Sequence, residues 1–300
     1  MKQRLETPVL LSIGLLLVST LAGASACSRK TESAPPVATP TVTLNTSAAA
    51  IGSPVDVTYR FVVAGGAPAF ADDYTVFVHF LDANRELLWT DDHQPPTPTR
   101  AWKPGDTIEY TRTIFVPKLP YTGNTTVEVG LYSTKTGDRL PLSGQDTGMR
   151  SYRVAALNLG VLNSSVFVVF KGGWHDTEVA DGSPGVEWQW SKREGTISFR
   201  NPKRDVTLFL QLDQPVKAFP EPQHVTVSLG STVIDMFALP PNQPELRRIA
   251  LSAEQLGAAE TLDLSVAVDK TFVPSAVPDL KSSDGRELGV RVFRVYIQPK

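Results

Sequence analysis

What most constrains this chain is a two-residue hydrophobic period that returns in short runs between Gly-, Pro- and Asp-rich turns. Val55, Val57, Tyr59, Phe61 and Val63 alternate with Asp56, Thr58, Arg60 and Val62. Successive side chains of a strand point to opposite faces, so this pattern sets one apolar face against a core. Tyr74 to Asp82 (YTVFVHFLD) is apolar on both faces, which predicts a strand inside its sheet and covered on each side. Leu87 to Thr90, Ile108 to Val116 and Thr126 to Tyr132 continue the series, with turn signals at Lys103-Pro104-Gly105-Asp106 and Lys135-Thr136-Gly137-Asp138. Strands at this spacing predict an antiparallel sandwich.

The second half repeats the pattern at Val166 to Phe170, Ile197 and Phe199, Val206 to Leu212, and Val225 to Leu229. Gly230-Ser231 predicts a hairpin turn into Val233 to Phe237, and Arg247 to Leu251, Leu262 to Val268 and Gly289 to Ile297 complete the set. LSAEQLGAAE reads either as a short helix or as an irregular turn. About eight strands with almost no helix predict a jelly-roll sandwich. The expected architecture is therefore all-β, with two β-sandwich domains over 51–156 and 157–300 after a leader (1–26) and a flexible linker (27–50).

The leader has its own logic. Lys2 and Arg4 precede an apolar run, Pro8 to Ala22, that is shorter than the ~20 residues needed to cross a bilayer. Ala22, Gly23, Ala24, Ser25 and Ala26 then lead to Cys27, the one cysteine of the chain. This resembles the lipobox of bacterial lipoproteins, although Ala24 stands where Leu is commonest. The resemblance implies cleavage before Cys27, lipid on its thiol, and a membrane-anchored protein of the cell envelope. Ser28 in place of Asp implies the outer membrane in a host with two. Cleavage after Ala24-Ser25-Ala26 by the ordinary signal peptidase is the competing reading. Ser28 to Ala50 is rich in Ser, Thr, Ala and Pro and reads as a tether.

Two further resemblances bear on the body. VFVHFLD, WKPGDTI and VEVGLYSTKTGDRLPL, within about residues 45–155, resemble an immunoglobulin-like sandwich of bacterial envelope proteins. GWHDTE, WQWS and RELGVRVFRV, within about 166–300, resemble galactose-binding and carbohydrate-binding modules, which implies a glycan ligand.

The formal charge of −2 supplies no basic field for nucleic acid. A single cysteine excludes an internal disulfide and a clustered-thiolate zinc site, and no cofactor is expected. G-x-S-x-G, S-x-x-K and H-E-x-x-H are all absent, and His79, Asp91, Asp92 and His93 match no metal-ligand spacing. The candidate ligand site is instead aromatic. Trp174, His175, Trp188 and Trp190 cluster among Gly172, Gly173, Gly182 and Gly185, with Arg193 and Arg286 as donors. An indole matches the C–H face of a pyranose, and guanidinium groups match its hydroxyl edge. Against this, Trp188 and Trp190 share a strand face and can plug a core, which leaves Trp174, in its Gly-rich loop, as the expected exposed ring. Asp284, Arg286 and Glu287 form either a solvated turn or the rim of a site.

The expected function is a non-catalytic, lipid-anchored envelope protein that binds glycan through its C-terminal domain. A scaffold lipoprotein docking another envelope protein is the alternative. A polysaccharide hydrolase, the weaker third, needs a paired-carboxylate cleft that the sequence does not display.

Overall fold

A computed structural model describes residues 34–161, 166–180, 183–214, 216–241 and 243–300. The leader and Cys27 lie outside the described residues. Pro35–Lys300 forms one unit that contains two pairs of facing sheets.

In the first pair, one sheet runs in the order β1 (Ala38–Leu44), β3 (Pro54–Val63), β6 (Thr107–Phe115). The opposing sheet runs β2 (Ala48–Ala50), β9 (Tyr152–Gly160), β7 (Gly123–Tyr132), β4 (Thr75–Leu81), β5 (Leu87–Thr90), with β8 (Gln145–Asp146) against β9. Only β2 and β9 pair in parallel among these strands. The alternation in β3 is complete: Val55, Val57, Tyr59, Phe61 and Val63 are buried against Val76, Val78, Phe80, Val127, Val129 and Leu131 of the other sheet.

As expected, β4 lies inside its sheet, between β7 and β5. Its second face is closed by a side chain, not by another layer. Phe77, buried, lies across Gly130 of β7, where any Cβ would overlap the ring, and the Arg139 guanidinium caps it at 4.2 Å. An aromatic face and a cation attract through the ring quadrupole, so the arginine covers apolar area while its charge stays wet.

Two expected boundaries move. Ala38–Leu44, read as tether, is the edge strand β1, paired residue for residue from Ala38↔Val63 to Leu44↔Val57. Its inward positions are Ala38, Pro40 and Val42 and its outward ones threonines, and an edge strand tolerates a proline. The boundary expected near 157 falls inside β9, whose Leu157 and Leu159 belong to the first core.

The second pair consists of β10 (Val168–Phe170), β13 (Glu194–Arg200), β18 (Thr261–Val268), β15 (His224–Leu229), β16 (Thr232–Ala238), facing β11 (Glu178–Ala180), β12 (Ser183–Trp190), β19 (Arg291–Pro299), β14 (Val206–Asp213), β17 (Glu245–Leu251). Leu208, Leu210 and Leu212 meet Ile197, Val227 and Val266 in its core. The hairpin β15–β16 closes on Leu229↔Thr232, leaving Gly230-Ser231 as the turn, with Gly230 at φ 57°. The ambiguous LSAEQLGAAE contains one helical turn, α1 (Ala253–Leu256). Ser252 and Gln255 form a reciprocal capping box at its start, which satisfies amides that a helix this short otherwise leaves bare.

Trp174 closes one end of this core. Its ring meets Phe170 edge-on at 4.9 Å, its Nε1 donates to the Thr196 carbonyl at 2.9 Å, and it lies flat over Gly195, where a Cβ would overlap the indole. Gly173, at φ 84°, lets the chain pass close to the Glu194 carbonyl.

Inside the first sandwich a polar network replaces part of the hydrocarbon. Asp91 accepts from Tyr59 Oη at 3.1 Å and, in a two-pronged pair, from Arg112 Nε and Nη2 at 3.0 and 2.8 Å. His93 Nδ1 donates to the Asp91 carbonyl at 2.7 Å, which leaves Nε2 to accept from Tyr110 Oη at 2.8 Å. Asp92 accepts from the Val78 amide. His79 packs on Phe77. Burial pushes the Tyr59 and Tyr110 hydroxyls up and the His93 imidazole down from their ordinary values.

Two outcomes follow from this packing. Because the folded chain holds His93 below the ordinary imidazole value of about 6.5, the unfolded chain takes up the proton first, and stability present above that pH is lost on acidification. Thermal unfolding between about pH 7.5 and pH 5 should show this fall, with a shallower slope in His93→Gln; equal slopes would remove His93 as the cause. Gly195→Ala should lower stability by about 1–3 kcal/mol in denaturant unfolding, while Gly172→Ala, with open space around it, should change it little.

Candidate functional site

The second sandwich has one sheet face that its core does not use. In β14, Leu208, Leu210 and Leu212 point inward, so Phe209, Gln211 and Asp213 point out. Register carries this outward set across the sheet: Asp213↔Arg291 and Trp190↔Arg291 are directly opposed, and Trp188 lies two residues along from Trp190. A bulge between Gln211 and Leu212 leaves Phe293 without an opposite number and re-aims it beside Arg291.

Arg291 is the centre of the face. Asp213 accepts from its Nε and Nη2 at 2.8 and 2.6 Å, and the guanidinium lies 5.1 Å from the Trp188 ring, 5.7 Å from Trp190 and 4.9 Å from Phe293. The pair fixes the guanidinium plane, and the plane in turn orients the rings stacked around it. Trp190 is roofed over by Phe272 at 5.8 Å, with Phe219 and Leu288, into a satellite core under the long loops. Trp188 and Phe293 are only half-buried and meet edge-to-face at 6.2 Å.

Beside Trp188 lies a charged rim. Glu178 stands opposite Trp188 in register, accepts from its Nε1 at 3.1 Å, and takes Arg286 Nη2 on its other oxygen at 2.7 Å. Asp284 holds the same arginine through Nε and Nη2 at 3.0 and 2.7 Å. The Arg286 guanidinium keeps the Asp284 carboxyl below its ordinary range, and Asp284 with Glu178 raises the guanidinium in return. His175 Nε2 donates to the Glu287 carbonyl at 2.8 Å, which ties the Trp174 loop to the turn carrying Arg286. Beyond Phe293 the same face runs into a cleft of about 470 Å³ that also involves Pro117 and Lys118 of the first sandwich.

The structure thus joins Trp188, Arg286 and His175, with Trp190 behind them, and separates the others. Trp174, expected to be the exposed ring, is half-buried against the main core, where Gly195 leaves room for its indole. Arg193 lies apart and donates to the Asp269 carbonyl at 3.1 Å. Glu178, Asp213, Arg291 and Phe293 were not singled out in the sequence, although Arg291 and Phe293 stand in the period-two run of the last strand. Among the described residues no group of three His, Cys, Asp or Glu side chains is placed to hold a metal ion.

No family model and no curated protein matches the chain. Among solved structures, the C-terminal CBM6 of a marine laminarinase from Zobellia galactanivorans is similar at 12% identity and a TM-score of 0.26, over 44% of this chain and 98% of that one. A tandem CBM22 pair from Paenibacillus barcinonensis is similar at 13% identity and 0.27, over 83% and 79%. A β-glucuronidase from Bacteroides uniformis is similar at 9% identity and 0.30, over 87% of this chain and 30% of that one.

Proposed function

We propose that this is a non-catalytic, lipid-anchored protein of the cell envelope that binds glycan on the outer face of its second sandwich, around Trp188. The observation that carries the reading is the half-buried Trp188 and Phe293 pair, held in place by Arg291 and bordered by the Glu178–Arg286–Asp284 rim. Rings fixed in this way lose little freedom when a sugar stacks on them, and the rim supplies charged donors and acceptors at hydroxyl height. The anchor reading rests on the leader and Cys27.

The rim carboxylates support the non-catalytic reading. A glycosidase needs one carboxyl kept protonated as the acid, whereas Arg286 holds Asp284 ionised and engages Glu178 as well. The scaffold reading has its own support in exposed apolar side chains at both edges of one sheet: Phe167 and Val169 at β10, Val233 and Met236 on β16. Such edges are a template for a further strand.

Tryptophan fluorescence of the full chain, titrated with envelope polysaccharide fragments, separates the two. The glycan reading expects a saturable shift that weakens about tenfold or more in Trp188→Ala and survives Arg193→Ala. A flat response, with a protein partner captured at one-to-one stoichiometry by cross-linking, would move the assignment to scaffold.

A further inference from the structure

The two sandwiches meet through Asp56, which takes Arg248 in a two-pronged pair, and through Phe115, whose ring meets Phe209 at 6.1 Å. Beside this contact Arg294, opposite Gln211 in register, faces the cleft lined by Phe293, Lys118, Val186, Glu187 and Pro117. Its guanidinium rests 5.1 Å from the Phe115 ring and, among the described residues, donates no hydrogen bond.

That distinguishes it from four other half-buried arginines, while a fifth, Arg139, donates to the Met149 carbonyl at 3.0 Å. Arg112, Arg247, Arg286 and Arg291 each grip a carboxylate through two nitrogens: Asp91, Asp235, Asp284 and Asp213. A guanidinium taken out of water without acceptors is costly, and a planar fork matches a carboxylate. The nearest anion, Glu187, is engaged by Lys118, so Lys118, Glu187 and Arg294 together leave the cleft one positive charge in excess. The volume of about 470 Å³ suits a small ligand, and Phe293 and the proline supply apolar wall.

We propose that this cleft binds the carboxylate of an acidic sugar, with Arg294 as the fork and Phe293 as the stacking platform. The sugar half of the assignment rests on the glycan reading above; the carboxylate half does not. The cleft then sets the class of glycan, because Phe293 also borders Trp188 and one chain can run over both.

Calorimetric titration of the full chain in detergent tests this with galacturonate, oligogalacturonate, neutral oligogalactose and benzoate as probes. The expected result is binding of oligogalacturonate but not of oligogalactose, at least about tenfold weaker in Arg294→Gln and only partly weakened in Arg294→Lys. Binding of the free monosaccharide as well would identify a soluble acidic sugar as sufficient, and binding of the oligomer alone a residue within a polymer; either supports the site. Trp188→Ala separates the readings: acidic-sugar binding that depends on Arg294 but not on Trp188 keeps this cleft while removing the Trp188 face. Equal affinity in Arg294→Gln with an unchanged thermal midpoint would overturn the proposal, as would Arg294-dependent binding of benzoate without any acidic sugar.

Discussion

The ion pair between Asp213 and Arg291 holds the candidate face together, because it turns a flexible cation into a fixed plane. Both groups sit on the outer side of adjacent strands, directly opposed, with the Asp213 side chain 11% exposed and that of Arg291 30%. An exposed pair of this kind contributes little, but here the hydrogen bonds are two-pronged and rings on several sides limit water. Trp188, Trp190 and Phe293 then pack around a guanidinium that cannot swing away. Without Asp213 the same arginine would extend into solvent and the rings would lose a shared wall.

In the first sandwich the corresponding ion pair, with Arg112 38% and Asp91 15% exposed, is tied to the buried Tyr59 and His93 instead of to indole rings. Tyr59, Asp91, His93, Tyr110 and Arg112 satisfy one another in a closed set, so the interior tolerates an ion pair that would otherwise be a liability. Burial holds the His93 imidazole below its ordinary value, so protonating it on acidification works against this set.

Large alternating side chains made the strands legible, and small ones hid them. β3 and β7 announce themselves because Val, Tyr, Phe and Leu recur at period two, whereas β1 uses Ala38, Pro40 and Val42 for the same purpose and reads as linker composition. β9 mixes Ala155, Ala156 and Asn158 with its two buried leucines, so its period is weak on paper although its pairing is long. At the candidate site, the Trp and Gly cluster led to Trp174 as the exposed ring, whereas the structure leaves Trp174 and Trp188 both half-buried. Glycines beside Trp174 suggested an open loop, but Gly173 clears the Glu194 carbonyl and it is Gly195, on β13, that makes room for the indole. Arg291 was hidden for a related reason: its partner Asp213 lies 78 residues away in sequence and one strand away in space.

Arg286, Arg291 and Arg294 lie within a few residues of one another and meet three different fates, and the difference carries the functional argument. Arg286 is shared by two carboxylates and serves to hold a turn; Arg291 has one carboxylate and several rings and serves to hold a face. Arg294 has a ring beneath it and no hydrogen-bond acceptor among the described residues, so burial outweighs the pull of Glu187 and disfavours its charge. A ligand carboxylate arriving at Arg286 or Arg291 would have to displace an existing pair and gain little. At Arg294 it would supply the acceptor that the fold withholds, and the desolvation of the guanidinium, already incurred on folding, would not be charged to binding again. Of these three arginines, Arg294 is therefore the one where an acidic ligand gains the most.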